Sequence, residues 1–505
     1  MGGAVIVLVV SFCLLCQTNG LKILHFASGY SSSHLIHDYR LANTSAALGH
    51  EVTVWTFLAT TVELSQSVTL DPRIKEHVFD MRNEQFLLRT GAEFSKNSWE
   101  PYSFELLQKL MAWINAVATD DTTASFRLED FDAAVAPGFD LCPVMVCHLA
   151  RIPTERMILT FSFPFIVDSV ARFAAVPNIP TFTPNIAVEF SDRMNFLERM
   201  INTATSLWFG HDPQVYEQMS IFDEFSPAKS GRPSLEVLAG RTSAIIMSGE
   251  QALEYPRPMT PITFYLTEVN KNESDSVEKL EPKFKTVLNQ NNKGTILLSF
   301  GTVADMNYMP RKLQNDVLEA LAQFPDYSII YKFNPELVPQ TQNLSHVHAF
   351  EWLPQRDLLQ SARVKAFVTH AGFNSLLESI KAAKPMVMCP LFDDQLSNTA
   401  RAVSRGLGIG LDVKSAEFSA DILVRSLREV LENSKYRRRA EAFRDMLANQ
   451  MTTSEQLYSH KLNQVARRGR PLPTLAVARN LTFMQHFMLD TFGLLCILSL
   501  STIWG

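Results

Sequence analysis

Short apolar runs alternate with amphipathic helical stretches along most of this 505-residue chain. Near its start the run LKILHFAS predicts a buried strand. The helical pattern that follows places four residues on one face: Leu35, Tyr39, Ala42 and Ala46. Gly49 ends this helix, and HEVTVWTF predicts a second strand. A strand, a helix and a strand in this order form a unit whose strands pair in parallel.

A polar, acidic segment at 270–283, NKNESDSVEKLEPK, predicts a linker. Beyond it the alternation restarts, with strands predicted at TILLSFG, YSIIYKF, KAFVTH and PMVMCPL. Helices are predicted at RKLQNDVLEALAQF, NSLLESIKAA and DQLSNTARAVSRG. We therefore predict an α/β protein of two facing, doubly wound Rossmann-like domains, at 21–269 and 284–470. The stretch 150–235 is rich in Phe, Pro and Met with weak periodicity, which predicts irregular, pocket-forming segments.

Both ends of the chain favour the secretory route. Residues 4–16 are apolar, too short to span a bilayer and followed by small residues, so 1–20 predicts a cleaved signal peptide. Within the tail 471–505, an uncharged run from Phe492 to Trp504 predicts a membrane anchor, although a spanning helix needs roughly 17–25 residues. An amphipathic tail packed on the protein is the alternative. Arginines before this run, with no basic residue after it, oppose a lumenal body unless an N-terminal signal overrides them.

Composition excludes some functions. The net charge of −6 gives no electrostatic case for nucleic acid binding. Outside the signal and the tail, three cysteines remain, Cys142, Cys147 and Cys389, without the spacing of metal ligands. Four Asn-x-Ser/Thr sequons predict candidate N-glycan sites: Asn272, Asn343, Asn480 and, weakest because it lies in the first helix, Asn43.

Polar and small residues follow three predicted strands of the second half, where ligands of open α/β sheets bind. These residues are Ser299, Gly301 and Thr302; His370, Gly372, Asn374 and Ser375; and Asp393, Asp394 and Gln395. The helix starting near Asn374 offers free backbone N–H groups to a phosphate, and Gly372 permits close approach. A capping box formed by Ser375 and Glu378 would explain the same residues without a ligand.

Residues 350–412 closely resemble the signature of the UDP-glycosyltransferase family, in its membrane-bound, UDP-glucuronosyltransferase-like branch. The matching elements are Trp352-Leu-Pro-Gln355, Thr369-His370-Ala-Gly372, Asn374-Ser375, Glu378, Pro385, Pro390 and Asp394-Gln395. SFGT at 299–302 and YKF at 331–333 are similar to donor-domain segments of the family, and FSDRMNFLER at 190–199 is similar to its acceptor-domain helix. The resemblance thus extends to nearly the whole chain. Two positions depart from the pattern: Ser361 stands where the family usually has a histidine, and Ala371 replaces a glycine.

This resemblance implies a GT-B fold whose second domain holds a UDP-sugar. Trp352 would stack on uracil with Gln355 beside it, and Glu378 would accept hydrogen bonds from the ribose. Six residues would surround the diphosphate: Ser299, Thr302, His370, Gly372, Asn374 and Ser375. Asp394 and Gln395 would meet the sugar hydroxyls. An aromatic face suits a base, a carboxylate suits a diol and hydrogen-bond donors suit phosphate oxygens.

The resemblance also implies that His34 is the catalytic base. In GYSSSHLIHDY, Ser33 has the character of an N-cap and His34 that of the first helical residue. A helix N-terminus disfavours the imidazolium and keeps the ring neutral. His37, one turn further on, is the second candidate.

The acidic partner of this base is missing at its usual place. After the strand FDAAVAP, where the family usually has the acidic residue, this chain has Pro137. Asp140 could substitute if the loop folds back. Asp38 could instead pair with His34 along the helix.

Taken together, the resemblance implies an inverting, metal-independent enzyme at the lumenal side of the endoplasmic reticulum membrane. It would transfer glucose or glucuronic acid from a UDP-sugar, a co-substrate and not a cofactor, to a hydroxyl of a small lipophilic acceptor. The sequence leaves open which sugar and acceptor are used and whether the chain forms a homo-oligomer. A UDP-sugar or lipophile binding protein without catalysis is the main alternative, because of Pro137.

Two other classes of enzyme fit less well. Asp130-Phe131-Asp132 matches the D-x-D pattern of metal-dependent glycosyltransferases, but three residues with one wildcard are weak evidence. A nicotinamide-dependent oxidoreductase would show G-x-G-x-x-G after a strand, and GLGIG at 406–410 has the wrong spacing.

Overall fold

The computed structural model describes residues 20–29, 32–58, 68–80, 131–139, 141–149, 151–210, 233–267, 277–301, 306, 309–333, 344–392, 394–449, 451–468, 485 and 490–494. Within these ranges the strands form two parallel sheets, one in each half of the chain. The strands of the first sheet are β1 Lys22–Ser28, β2 Glu51–Leu58, β3 Lys75–Asp80, β4 Ala133–Pro137, β5 Met157–Phe161, β6 Ala244–Ser248 and β7 Thr263–Leu266. Their order across the sheet is β3-β2-β1-β4-β5-β6-β7.

The second sheet has six strands in the described part of the chain. They are β8 Thr295–Ser299, β9 Ser328–Lys332, β10 Val347–Phe350, β11 Val364–Thr369, β12 Met386–Met388 and β13 Gly408–Gly410. Their order is β10-β9-β8-β11-β12-β13. In both sheets the strand order reverses once, between β1 and β4 and between β8 and β11, and such reversals are where open α/β sheets bind ligands.

Helices connect the strands of both sheets. In the first half they are α1 Ser32–Ala47, α2 Cys142–Leu149, α3 Asp168–Phe173, α4 Phe196–Gly210 and α5 Leu235–Gly240. The second half contains α6 Pro282–Gln290, α7 Arg311–Ala322, α8 Gln355–Gln360, α9 Phe373–Lys381, α10 Gln395–Ser404, α11 Ala420–Glu432, α12 Ser434–Ala448 and α13 Ser454–Arg468.

The strands are apolar on both faces because helices cover both faces of each sheet. Ile23 and Leu24, neighbours on β1, are both fully buried, although their side chains point to opposite faces. The predicted face of α1 packs on the first sheet, where Leu35, Tyr39 and Ala42 are buried. Gly49 has φ +86°, as a helix-ending glycine requires. The prediction of two doubly wound α/β halves is therefore confirmed.

Two local predictions are corrected, and the linker, which the structure describes only at its end, stays a prediction. The stretch 150–235 is not wholly irregular, because it contains β5, an inner strand of the first sheet, with α3 and α4. The helix expected at 190–199 begins only at Phe196. The predicted linker 270–283 ends in ordered structure, since a 3-10 turn spans Val277–Lys279 and α6 begins at Pro282.

Helix α13 returns to the first sheet. Tyr458, Leu462 and Val465 of α13 are buried in one cluster with Ile23 and Ile158 of the first sheet. The Tyr458 hydroxyl lies 2.9 Å from Ser45 Oγ, which lies 2.9 Å from His25 Nε2. A helix inside the range predicted as the second domain thus packs on the first half, and the domain boundaries themselves stay predictions.

Most of the predicted terminal segments and glycan sites lie outside the described residues: 1–19, nearly all of 471–505, and Asn272, Asn343 and Asn480. Among the residues the structure describes, no helix is both long and apolar enough to cross a membrane. Asn43 lies on α1, where its Nδ2 donates to the Thr69 carbonyl oxygen at 2.8 Å and its Oδ1 accepts from Asp71 N at 2.8 Å. The fold thus uses both polar atoms of this amide, and Asn43 as a glycan site stays a prediction.

Candidate active site between the two sheets

The strand ends at the reversal of the second sheet bring together residues that are far apart in the sequence. Ser299 ends β8 opposite Thr369, which ends β11. The His370 ring lies between the backbones of the two glycines that follow these strands. A Cβ built on Gly301 would lie 2.6 Å from His370 Cε1, and one built on Gly372 would lie 2.5 Å from His370 Nε2. Both glycines therefore leave room for the imidazole, a reason that the sequence did not reveal.

His370 is kept neutral. Burial lowers its pKa to about 4, and the positive charge of Lys332 acts in the same direction. A neutral imidazole can donate one hydrogen bond to a phosphate oxygen without changing its charge. Ser299 is buried, and its Oγ accepts from Gly301 N at 3.3 Å, so this side chain also shapes the turn after β8. Thr302 lies outside the described residues.

The N-terminus of α9 is not closed by a capping box. The N-cap is Gly372, which has no side chain to accept a hydrogen bond, so Ser375 is the third helical residue. Ser375 Oγ instead accepts from Gln355 Nε2 at 3.0 Å, and the same nitrogen donates to Glu378 Oε2 at 2.7 Å. The capping-box alternative is therefore wrong. Helices α8 and α9 thus place Gln355, Ser375 and Glu378 in one hydrogen-bonded group.

Trp352 is 55% exposed, which is unusual for so large an apolar side chain and leaves its ring accessible for stacking. Lys332 Nζ lies 5.4 Å from the centre of this ring and also donates a hydrogen bond to the Gly301 carbonyl oxygen. Lys332 thus brings a positive charge between the Trp352 ring and the β8 turn. The sequence prediction omitted this residue, although its position at the end of β9 in YKF was a usable signal.

The start of α10 carries the predicted sugar-binding pair. Asp394 occupies the N-cap position and Gln395 is the first helical residue. Gln395 is buried, and its Oε1 accepts from Leu391 N at 2.9 Å and from Phe392 N at 3.2 Å. Its amide oxygen therefore holds the preceding loop, so only the amide nitrogen is left for a sugar. Asp393 lies outside the described residues.

The reversal of the first sheet places His34 among aromatic rings. Its ring centre lies 4.9 Å from that of Phe139, which follows β4, and 6.4 Å from that of Phe163, which follows β5. Phe163 stacks on Phe165 at 4.2 Å. Burial lowers the pKa of His34 to about 4, so the imidazole is neutral at pH 7. The helix begins at Ser32, so His34 is its third residue, and the predicted N-cap at Ser33 is wrong.

The alternatives to His34 and its partner have other contacts. His37 Nδ1 lies 3.1 Å from Ser248 Oγ. Asp38 is buried, and its Oδ2 accepts from Ser28 N at 2.9 Å, so this carboxylate caps the end of β1. Pro137 is the last residue of β4. Asp140 lies outside the described residues and stays a prediction.

The two halves meet at a cleft that residues of both sides line. His37 and Ser248 line it from the first half, and Asn374 and Glu378 of α9 line it from the second. His34 precedes His37 by one turn of α1 and therefore lies on the same side of that helix. The helix that carries the candidate base thus faces the helix that carries the candidate ribose ligand.

In the described part of the chain, no three His, Cys, Asp or Glu side chains are grouped as a metal site would require. Asp132, from the D-x-D match, precedes β4 at the amino-terminal ends of the strands, away from the candidate site. There its Oδ2 accepts from Lys22 N at 2.9 Å. Its partner in that match, Asp130, lies outside the described residues.

Comparison with known proteins defines the class of this protein. Its fold is that of GT-B glycosyltransferases: a structure of a variant of Os79 from O. sativa, in complex with UDP, matches with a TM-score of 0.61 at 16% identity, over 88% of this chain and 100% of that one. A family model described as UDP-glucoronosyl and UDP-glucosyl transferase matches residues 32–504, so the chain belongs to this family.

Relatives match along much or nearly all of the chain. The Caenorhabditis elegans protein ugt-60 is 26% identical over 96% of this chain and 97% of its own length. Human 2-hydroxyacylsphingosine 1-beta-galactosyltransferase is 29% identical over 72% of this chain and 64% of its own. Family membership supports transfer of a sugar from a UDP-sugar, which agrees with the site in the second half.

Proposed function

We propose that this protein transfers glucose or glucuronic acid from a UDP-sugar to a hydroxyl group of a small lipophilic acceptor, with inversion at the anomeric carbon. The observation that carries this proposal is the cleft itself, which α1 lines from the acceptor half and α9 from the donor half. We place the protein at the lumenal face of the endoplasmic reticulum membrane, on the basis of its relatives and of the predicted signal.

The donor binds along the strand ends of the second sheet. Uracil stacks on Trp352, and Glu378, held by Gln355, accepts hydrogen bonds from the ribose. The diphosphate lies at the N-terminus of α9, where the first backbone N–H groups have no partner within the helix. Asp394 and the amide nitrogen of Gln395 bind the sugar.

The acceptor binds among the aromatic rings of Phe139, Phe163 and Phe165, which favour a lipophilic molecule. His34 removes the proton from its hydroxyl group, and the oxygen attacks the anomeric carbon on the face opposite the diphosphate. The new C–O bond forms as the bond to UDP breaks. The negative charge that develops on UDP is stabilised by the α9 N-terminus and by Lys332.

A base with a pKa of about 4 is neutral at pH 7 but weak, so a carboxylate that stabilises the imidazolium would speed the reaction. Asp140 is our candidate for that carboxylate. This assignment makes Pro137 tolerable, because the charge is then supplied three residues later.

The test follows acceptor-dependent UDP release and conjugated product with UDP-glucose and with UDP-glucuronic acid, using a panel of phenols and lipophilic alcohols in EDTA. Loss of a general base costs roughly 10²–10⁴-fold in rate, so His34→Gln should lose at least a hundredfold. His37→Gln is the matched control one turn away and should stay within a few-fold of wild type. Asp140→Asn should lower the rate and move the acid limb of the pH profile to lower pH than in wild type.

Equal losses in the two histidine variants would remove His34 from the proposed role. If UDP-sugar binds but no acceptor is converted, the binding-protein alternative replaces the proposal, and Pro137 gives the reason.

A further inference from the structure

A chain of buried side chains runs behind the sugar end of the candidate site. Asn398 on α10 is fully buried, and its amide makes three hydrogen bonds. Oδ1 accepts from Arg401 Nη1 at 2.9 Å. Nδ2 donates to the Ala371 carbonyl oxygen at 3.0 Å and to Asp394 Oδ2 at 2.8 Å. One amide thus connects the β11–α9 junction with the proposed sugar-binding carboxylate.

Arg401 fixes which way this amide faces. A guanidinium group only donates hydrogen bonds, so the amide oxygen must face Arg401. The NH₂ group must then face the two acceptors, Ala371 O and Asp394 Oδ2. If the amide turned over, its oxygen would meet the Asp394 carboxylate and the Ala371 carbonyl, and both contacts would be repulsive.

Arg401 is itself held from the other half of the chain. Its side chain is 4% exposed, and its Nε lies 3.2 Å from Oε2 of Glu254, which follows β6 and is 2% exposed. The guanidinium carbon lies 5.5 Å from the centre of the Tyr255 ring. A buried charge without its counter-charge is strongly unfavourable. In the docked arrangement Glu254 therefore stabilises Arg401 in this position.

We propose that Arg401 and Asn398 are positioning residues, which couple the docking of the two halves to the orientation of Asp394 toward the transferred sugar. This inference rests on the proposed function, in which Asp394 binds a sugar hydroxyl. It adds a condition to that function: the sugar end of the site is complete only in the docked arrangement. The proposed uracil and ribose contacts, at Trp352 and Glu378, do not depend on it.

Arg405, the C-cap residue of α10, provides a matched control. Its Nη2 donates to the Glu254 carbonyl oxygen at 2.6 Å, and its Nη1 lies 3.8 Å from Asp192 Oδ2. Its guanidinium carbon lies 5.8 Å from the same Tyr255 ring. These contacts all go to the first half. Arg405 therefore contacts the first half as Arg401 does, but no described contact joins Arg405 to Asn398.

The experiment measures the affinities of the full-length protein for UDP and for UDP-glucose or UDP-glucuronic acid by calorimetry. In Arg401→Met the affinity for UDP should stay within about twofold, which also shows that the site is folded. Asn398→Leu also removes the hydrogen bond to the Ala371 carbonyl oxygen, beside the proposed diphosphate site, so its UDP affinity should fall further. The ratio of UDP-sugar affinity to UDP affinity should fall about tenfold, or about 1.4 kcal/mol. In Arg405→Met the ratio should not change, even where the melting temperature falls.

Unchanged ratios in Arg401→Met and Asn398→Leu would overturn the inference and reduce both residues to a structural role. An equal fall in Arg405→Met would also overturn it, because a residue without a described contact to Asn398 would then have the same effect as Arg401. If Arg401→Met does not fold, Asn398→Leu decides alone, since it keeps the Glu254–Arg401 pair. Failure of the wild-type protein to bind any UDP-sugar would refute the proposed function first, and the inference with it.

Discussion

The contact between His370 and its two flanking glycines gives a prediction whose size follows from the structure. Gly372 has φ −57°, a conformation that alanine adopts without strain. Its new Cβ would nevertheless lie 2.5 Å from His370 Nε2 and 2.9 Å from Cε1. Gly301 borders the same edge of the ring, since a Cβ built on it would lie 2.6 Å from Cε1 and 2.7 Å from Nε2. Gly372→Ala must therefore displace the imidazole or the N-terminus of α9.

Overpacking of this kind costs typically about 1–3 kcal/mol. Gly301→Ala should cost about 1–2 kcal/mol more, because φ at Gly301 is +80°, which alanine adopts only with strain. For a cooperative unit of 150–250 residues, each kcal/mol lowers the melting temperature by roughly 2–4 °C.

Differential scanning calorimetry of the full chain, with and without His370→Ala, separates the cost of overpacking against the imidazole from the cost of backbone strain. In the His370→Ala background, Gly372→Ala should be close to neutral, whereas Gly301→Ala should keep its backbone strain. Two results would refute this account of the glycines. One is that Gly372→Ala does not destabilise the wild-type protein, and the other is that it destabilises the His370→Ala protein equally.

Two further predictions concern the hydrogen bonds that join His25 of β1 to Tyr458 of α13 through Ser45. Burial lowers the pKa of His25 to about 3, so between pH 6.5 and 3 the unfolded chain binds a proton that the folded chain does not. The free energy of unfolding should therefore decrease as the pH is lowered through this window. His25 alone accounts for up to about 1.4 kcal/mol per pH unit. His25→Gln should flatten the pH dependence of the melting temperature, and an unchanged slope would contradict the assignment. Tyr458→Phe removes the hydrogen bond to Ser45 and should lower the free energy of thermal unfolding by about 0.5–1.5 kcal/mol. An unshifted main transition would mean that α13 detaches before the sheet melts.

The sequence predicted most strands and the residues that follow them, because a buried parallel strand needs an apolar run and a ligand site needs polar groups at its carboxyl end. The run MILTF, which forms β5, has no alternation and lies among Phe and Pro residues, so periodicity could not distinguish it from a loop. The return of α13 was also not predictable. Its partners on β1 and β5 lie hundreds of residues earlier, and only tertiary packing selects them.

The sequence predicted which types of side chain form the site better than it predicted which partner each of them contacts. Ser375 and Glu378 have the spacing of a capping box, but the competing donor, Gln355, lies on a different helix. Gln395 was assigned to the sugar, yet a local turn uses its amide oxygen. His34 was expected to stay neutral because of the helix N-terminus, whereas burial is the largest cause of its lowered pKa. Sequence patterns specify which groups are present, and packing decides which partner each group meets.

The central claim is that the strand ends of the second half bind the UDP portion of a sugar nucleotide. The most direct test is calorimetric titration of the full-length protein with UDP, using ADP as the competing nucleotide, for wild type, Trp352→Ala and Glu378→Ala. We expect wild type to bind UDP in preference to ADP, and each variant to lose at least tenfold in UDP affinity while keeping its melting temperature. UDP affinity that is unchanged in both variants, or that is no greater than the affinity for ADP, would contradict this site.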